Sequence, residues 1–190
     1  MYANFCFSKN IITFAAEFPY EGDSVVPFII INSKKMIEKS VVNQIITDFI
    51  KENSQLYLVD LKISTDNRIM VEIDAFSGVS LQMCENLSRF IEKNLDRNSE
   101  DYELEVGSAG LTSPFKVVNQ YIKNISKEIE VLTADGRKFE GILKQANEND
   151  FTIIIEKKIK PEGAKRKVIV FEELTFNYKE IKTAKYLLKI

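Results

Sequence analysis

The chain has 190 residues, 45% hydrophobic and 28% charged, a balance typical of a globular protein with a packed core. It has no histidine, which excludes nucleophiles activated by imidazole and metal sites with histidine ligands. Cys6 and Cys84 form no C-x-x-C pair, so the sequence predicts no zinc site and no disulfide framework. It has no nucleotide-binding glycine loop, and we expect no cofactor. No apolar run approaches the ~20 residues that cross a bilayer, and the N-terminus lacks a secretory signal pattern, so we expect a cytoplasmic protein.

The net charge of −2 is unevenly distributed along the chain. Residues 1–115 carry 10 Lys and Arg against 17 Asp and Glu, a net −7, whereas residues 116–190 carry 16 against 11, a net +5. Such asymmetry suggests that the basic half meets an anionic partner such as nucleic acid.

The first 35 residues show no sustained hydrophobic period, and Pro19, Gly22 and Pro27 interrupt them. We treat residues 1–35 as an N-terminal extension of uncertain structure. It is either a short strand-bearing segment of its own or an addition upstream of a domain that begins near Met36.

Residues 36–107 predict an α/β domain with the order helix, strand, strand, helix, strand. The first helix is indicated by apolar residues that recur every four positions: Ile37, Val41, Ile45 and Phe49, with Val42, Ile46 and Ile50 alongside. In residues 56–64 and 68–74, apolar and polar residues alternate as in a β-hairpin with one buried face. Ser80 is a good N-cap for a second helix, whose apolar stripe is Leu81, Cys84, Leu87, Ile91 and Leu95.

The stretch Tyr102–Phe115 marks a change in the chain. Tyr102, Leu104 and Val106 alternate with glutamates as in a half-buried strand, and the residues that follow favour a turn or a linker. We predict an interdomain linker over residues 108–116, although an ordinary loop explains the local pattern equally well. The residues that mark it are Gly107, Gly110, Leu111 and Pro114.

Residues 117–190 predict a small β domain, because hydrophobic alternation of period 2 dominates them. Five short strands are indicated, with a tight turn at Asp135-Gly136 and a bend at Gly141. They are too few for a sandwich and fit a small, closed or nearly closed barrel.

A basic segment, KKIKPEGAKRK, separates the third and fourth of these strands and predicts a projecting hairpin tip. It is a candidate for contacting phosphates of RNA, since neutralising phosphates releases counterions. The alternative is a solvated loop whose lysines keep a sheet edge soluble. The candidate binding residues are Lys157, Lys158, Lys160, Lys165, Arg166 and Lys167.

Three motifs resemble the ribosome maturation factor RimP family. VSLQMCENLSRFI at residues 79–91 is similar to that family's helix start V-T-L-x-x-C-x-x-x-S, and YELEVGSAGLTSP resembles its strand and linker Y-x-L-E-V-S-S-P-G-L-x-R-P. YKEIKTAKYL at residues 178–187 resembles its closing strand I-x-x-A-x-L. Together the matches span residues 36–190.

The resemblance implies an α+β chain of two domains, an N-terminal α/β domain and a C-terminal Sm-like, SH3-type β-barrel. It also implies a non-catalytic, cytoplasmic assembly factor that helps to mature the small ribosomal subunit. Our hypothesis is that the protein binds immature small subunits through ribosomal RNA and a small-subunit ribosomal protein. The family has Ser where this chain has Gly107, Pro in place of Ala109, and an acid–arginine pair in place of Thr112-Ser113. We therefore expect a looser linker, because glycine widens the accessible backbone space.

Two other functions compete with this interpretation. An Sm-like protein could bind messenger or small RNA outside the ribosome, but such barrels commonly form rings, whereas we expect a monomer. An enzyme would depend on acidic residues of the hairpin, which we interpret as solvated carboxylates, so no catalytic or metal-binding residue is predicted. These acids are Asp60, Asp66, Glu72 and Asp74.

Overall fold

The computed structural model describes residues 37–96, 101–160 and 167–188, and the backbone of three short strands near the N-terminus. Residues 1–36 and residues 37–190 form two compact units. In the first unit, β1 (Phe7–Ser8), β2 (Ile11–Phe14) and β3 (Phe28–Ile30) form an antiparallel sheet in chain order. The other residues of the predicted extension lie outside the described part.

The second unit begins with the predicted order of helices and strands. β4 and β5 are antiparallel, and β6 joins the other side of β5 in parallel after the intervening helix. The elements are α1 (Lys39–Glu52), β4 (Leu56–Ile63), β5 (Arg68–Ala75), α2 (Leu81–Asn94) and β6 (Glu103–Ser108). This half is therefore a mixed α/β arrangement, as the sequence predicted.

Both helices contribute to one core together with alternate residues of β5. Ile69, Val71 and Ile73 are at most 2% exposed and belong to the same hydrophobic cluster as the buried stripes of α1 and α2. The helices also meet through Phe49 and Phe90, whose ring centroids lie 5.3 Å apart. The opposite face of β5 carries Glu72 and Asp74.

The apolar residues predicted for α1 are not all buried. Val42, Ile46 and Phe49 are buried, whereas Val41 is 46% exposed. In α2, Leu87 and Ile91 are fully buried but Leu81 is 85% exposed at the first position of the helix. The predicted cap is present, since Ser80 Oγ accepts a hydrogen bond from the backbone N–H of Met83 at 3.3 Å.

The remaining residues form a short helix and a five-stranded antiparallel sheet. The helix, which the sequence had not indicated, has only six residues. The elements are α3 (Val118–Lys123), β7 (Glu128–Thr133), β8 (Lys138–Ala146), β9 (Asp150–Ile159), β10 (Val168–Asn177) and β11 (Ile181–Tyr186), with a 3-10 turn over Tyr178–Glu180 before β11. The order in the sheet is β10-β9-β8-β7-β11, and within the described residues β10 and β11 do not pair to close it.

An aromatic cluster forms the core of this second half. Phe151 is fully buried, with ring centroids 4.9 Å from Tyr121 and 5.7 Å from Phe176. Gly141 in β8 lies directly against the neighbouring strand β9: a Cβ added there would stand 2.5 Å from the carbonyl oxygen of Ile154. This position therefore requires glycine for close approach of two backbones.

Within the described part of the chain, no helix is long and apolar enough to cross a membrane.

Candidate nucleic-acid interface

The outer ends of β9 and β10 form a hairpin arm, defined here as residues 156–160 and 167–171. Ten-residue strands allow it to extend beyond the buried core, and each of its ten residues is exposed. Val168 pairs with Ile159, and Phe171 pairs with Glu156. Residues 157–160 and Lys167 of the predicted basic segment therefore lie on this exposed pair of antiparallel strands, and residues 161–166 lie outside the described part.

The predicted binding residues of the arm are not equivalent. Lys157 forms an ion pair with Glu172. In the part of the chain that the structure describes, Lys158, Lys160 and Lys167 are exposed and have no ion-pair partner. Lys165 and Arg166 lie outside the described residues. Among the described residues, the arm thus presents three exposed cations without an ion-pair partner.

The arm also exposes apolar side chains that the sequence interpretation missed. Phe171 is 66% exposed and Ile169 is 54% exposed, on a strand at the edge of the sheet. The four consecutive apolar residues from Val168 to Phe171 are typical of a buried strand. Their position beyond the core, which depends on the tertiary fold, makes them surface residues.

The linker residues lie in a segment that is held at both ends. Gly107 belongs to β6, where it pairs with Glu72, so the strand extends beyond the point at which we predicted it to end. A turn follows, in which the N–H of Ser113 donates to the carbonyl of Gly110 at 2.9 Å. The N–H of Phe115 then donates to the carbonyl of Ala184 in β11 at 2.7 Å. Leu111 and Pro114 are exposed.

Two lysines, one at the end of the predicted linker and one in α3, contact carboxylates of the first half. The Lys116 ammonium lies 2.8 Å from Asp60 Oδ2 and 2.7 Å from Glu72 Oε2. Lys123 in α3 lies 2.6 Å from Asp74 Oδ1. We call these five side chains the lysine–carboxylate network. This network joins the two halves of the unit, so it restricts the motion that a loose linker would allow. That the linker itself is loose stays a prediction.

The contact between Lys116 and Asp60 keeps both charges over a wide pH range. The hydrogen bond from Lys116 lowers the pKa of Asp60, and the bonds to Asp60 and Glu72 raise the pKa of Lys116. A lowered carboxyl pKa gives stability above the unfolded value of about 3.9, and a raised lysine pKa gives stability below about 10.4. The Lys116–Asp60 contact should therefore persist from about pH 5 to pH 9 and depend on salt instead.

Asp74 corrects the interpretation of the acidic residues as solvated carboxylates. It is 9% exposed, accepts a hydrogen bond from the Tyr57 hydroxyl at 2.9 Å and another from the N–H of Ala75 at 2.7 Å. Burial and the bond to Asp74 raise the pKa of Tyr57. Asp60 and Glu72 are engaged by Lys116, so three of the four acids considered for catalysis have a structural role. In the described ranges, no three Cys, Asp or Glu side chains are grouped to hold a metal ion.

The fold and the charges define a class: a chain with an acidic α/β half and a basic β half, joined by a short, anchored linker. The RimP N-terminal domain model matches residues 45–112, which include β4, β5, α2 and β6. This match begins within α1 and ends at residue 112, just beyond β6.

Relatives extend the similarity over most of the chain. A Porphyromonas gingivalis protein named ribosome maturation factor RimP is 42% identical over 149 residues, which are 78% of this chain and 97% of the relative. Proteins of the same name from Flavobacterium psychrophilum and Christiangramia forsetii are 39% and 38% identical, over 62% and 77% of this chain and 76% and 95% of their own lengths. The chain belongs to the ribosome maturation factor RimP family.

Proposed function

We propose that the protein is a ribosome maturation factor that binds immature small ribosomal subunits and promotes their maturation. The observation that carries this proposal is the 42% identity to a ribosome maturation factor RimP across 97% of that relative. The relatives give no support to the alternative of an RNA binder acting outside the ribosome.

The two-domain organisation is part of this proposal: an α/β domain over residues 36–107, a linker over 108–116 and an Sm-like barrel over 117–190. Two separate clusters of buried residues, one in each half, support it. The sheet order of the second half, β10-β9-β8-β7-β11, places β10 and β11 at the two edges. This order also fits a small barrel in which these two edge strands approach each other.

The protein would act by binding, without catalysis or a cofactor. A factor that binds one conformation of an immature particle more tightly shifts the population toward it by the difference in affinity. The partners would be ribosomal RNA and a small-subunit ribosomal protein, and the protein would act as a monomer in the cytoplasm. The three available lysines of the hairpin arm are suited to the RNA component.

Gradient sedimentation tests the function. The protein is expected to co-sediment with small-subunit precursors at low salt, and a deletion strain is expected to lose mature small subunits while precursors accumulate. Absence of co-sedimentation together with a normal profile in the deletion strain would contradict the proposal.

The basic arm gives a quantitative prediction for RNA binding. Changing Lys157, Lys158, Lys160, Lys165, Arg166 and Lys167 to alanine should leave the fold intact, lower the affinity and reduce the salt dependence. If all six contact phosphates, the slope of log K against log salt should fall by about 4 to 5. The measurement is fluorescence anisotropy with labelled ribosomal RNA at several salt concentrations.

A matched control separates the arm from general loss of positive charge. The triple change at Lys158, Lys160 and Lys167 is compared with the same change at Lys39, Lys93 and Lys179, which are exposed elsewhere on the surface. Only the arm variant should show a lower affinity for RNA and a smaller slope of log K against log salt. Equal behaviour of the two triple variants would mean that the arm merely solvates the sheet edge.

A further inference from the structure

The two faces of the hairpin arm carry different side chains. In the antiparallel register, Ile169 pairs with Lys158 and Phe171 pairs with Glu156, so these four lie on one face. Val168 with Ile159, and Val170 with Lys157, lie on the other. We call these the phenylalanine face and the valine face.

The faces also differ in available charge. On the valine face, the only cation of the two pairs is Lys157, which is neutralised by Glu172. On the phenylalanine face, Lys158 has no ion-pair partner among the described residues, and Lys160 and Lys167 follow directly beyond the last pair toward the tip. The acid of this face, Glu156, stands beside Phe171 and away from the tip. Cations therefore lie at the outer end of the face and the aromatic ring at the inner end.

This arrangement matches the two components of an unpaired nucleotide strand. A ring that is 66% exposed offers a surface on which a base can stack, and lysines nearby can contact phosphates. In a duplex the base faces are already stacked on one another, so only an unpaired strand can offer a base to Phe171. Because the Glu156 carboxylate beside the ring repels a phosphate, the position next to Phe171 favours an uncharged base.

We propose that the phenylalanine face of the arm binds unpaired RNA, with a base stacked on Phe171 and phosphates contacted by Lys158, Lys160 and Lys167. This inference rests on the proposed function, since an immature small subunit contains ribosomal RNA that has not yet paired or folded. It names the form of RNA that the arm recognises.

The test uses the full chain and a fluorescently labelled, unstructured 12-nucleotide pyrimidine RNA, alone and annealed into a duplex. Phe171→Ala is expected to weaken binding of the single strand about tenfold with little change in salt slope, because stacking carries no charge. Phe171→Tyr keeps the ring and should bind like the wild type, whereas Phe171→Leu should resemble the alanine variant. Val170→Ala changes the valine face and is the matched control, expected to bind like the wild type.

Several outcomes would overturn the inference. Wild-type affinity of Phe171→Ala for the single strand would do so, as would equal loss for Phe171→Ala and Val170→Ala, or equal loss for single strand and duplex. If Phe171→Ala bound the RNA normally but no longer co-sedimented with precursors, the face would contact a ribosomal protein instead of RNA.

The proposed function and this inference can fail separately. If the wild type co-sediments with precursors and Phe171→Ala does so equally well while binding RNA like the wild type, the function stands and the inference fails. If the wild type binds the single strand through Phe171 but does not associate with precursors, the inference stands and the proposed function fails.

Discussion

Replacing Asp74 with alanine is expected to lower the free energy of unfolding by about 3 kcal/mol, because it leaves a largely buried cation without its partner. The Lys123 side chain is only 20% exposed and lies 2.6 Å from Asp74 Oδ1. The Tyr57 hydroxyl and the N–H of Ala75 lose an acceptor as well. Urea unfolding followed by circular dichroism measures the change.

Two matched variants show whether burial causes this effect. Asp60→Ala removes one of the two carboxylates that contact Lys116, whose side chain is 35% exposed, and should cost about 1 kcal/mol or less. Asp48→Ala breaks an exposed pair with Lys51 within α1 and should cost still less. If all three variants lost the same stability, burial of the Asp74–Lys123 pair would have no special role.

A second change at Lys123 tests the pairing directly. In the Asp74→Ala background, Lys123→Met removes the isolated charge and should recover part of the lost stability, as a double-mutant cycle measures. Solution scattering of the same variants follows the arrangement of the two halves. We expect a broader distribution of interatomic distances for Asp74→Ala than for the wild type, since Lys123 then no longer joins α3 to β5.

Gly141→Ala is expected to cost about 3 kcal/mol, the upper end of the range for overpacking, because the added methyl group meets backbone that cannot rotate away. Its Cβ would lie 2.5 Å from the carbonyl oxygen of Ile154 and 3.0 Å from the carbonyl carbon of the same residue. The two strands must separate locally to accept it. Urea unfolding gives the stability, and the far-ultraviolet spectrum shows whether the sheet persists.

Gly107→Ala is the matched control in the first half. Gly107 also lies in a strand, but no atom stands within 4 Å of a Cβ added there, and its φ is not in the left-handed region. This change should be neutral or stabilise by about 0.4 to 1 kcal/mol through reduced freedom of the unfolded chain. A Gly141→Ala variant as stable as Gly107→Ala would mean that β8 and β9 lie further apart than described here.

The sequence predicted most helices and strands because their hydrophobic patterns extend over many residues. The five elements of the first half and the five strands of the second follow from spacing and turn residues alone. For α1, the sequence offered two adjacent apolar stripes, one through Val41 and Ile45 and the other through Val42 and Ile46. Which of the two is buried depends on α2 and the sheet. The six residues of α3 are too few for a helical period to be recognised.

The candidate site was only partly predictable. The basic segment stands out from composition, but the pairing of Lys157 with Glu172 and the separation of the arm into two faces depend on the register of β9 and β10. The burial of Asp74 was not predictable either, because its partner Lys123 is 49 residues away in the sequence. The sign change in charge near residue 115 was a signal for such contacts, since opposite charges in the two halves can pair as well as bind an external partner.

The lysine–carboxylate network has a consequence for the order of events during synthesis. Asp60, Glu72 and Asp74 leave the translating ribosome well before the lysines, and Asp60 precedes Lys116 by 56 residues. Until then, the newly made α/β half holds three neighbouring carboxylates that repel one another, and Lys62, 3.4 Å from Asp60 Oδ2, offsets this repulsion in part. The α/β half is expected to reach full stability only when Lys116 and Lys123 emerge. Synthesis of the β half therefore stabilises the α/β half that precedes it.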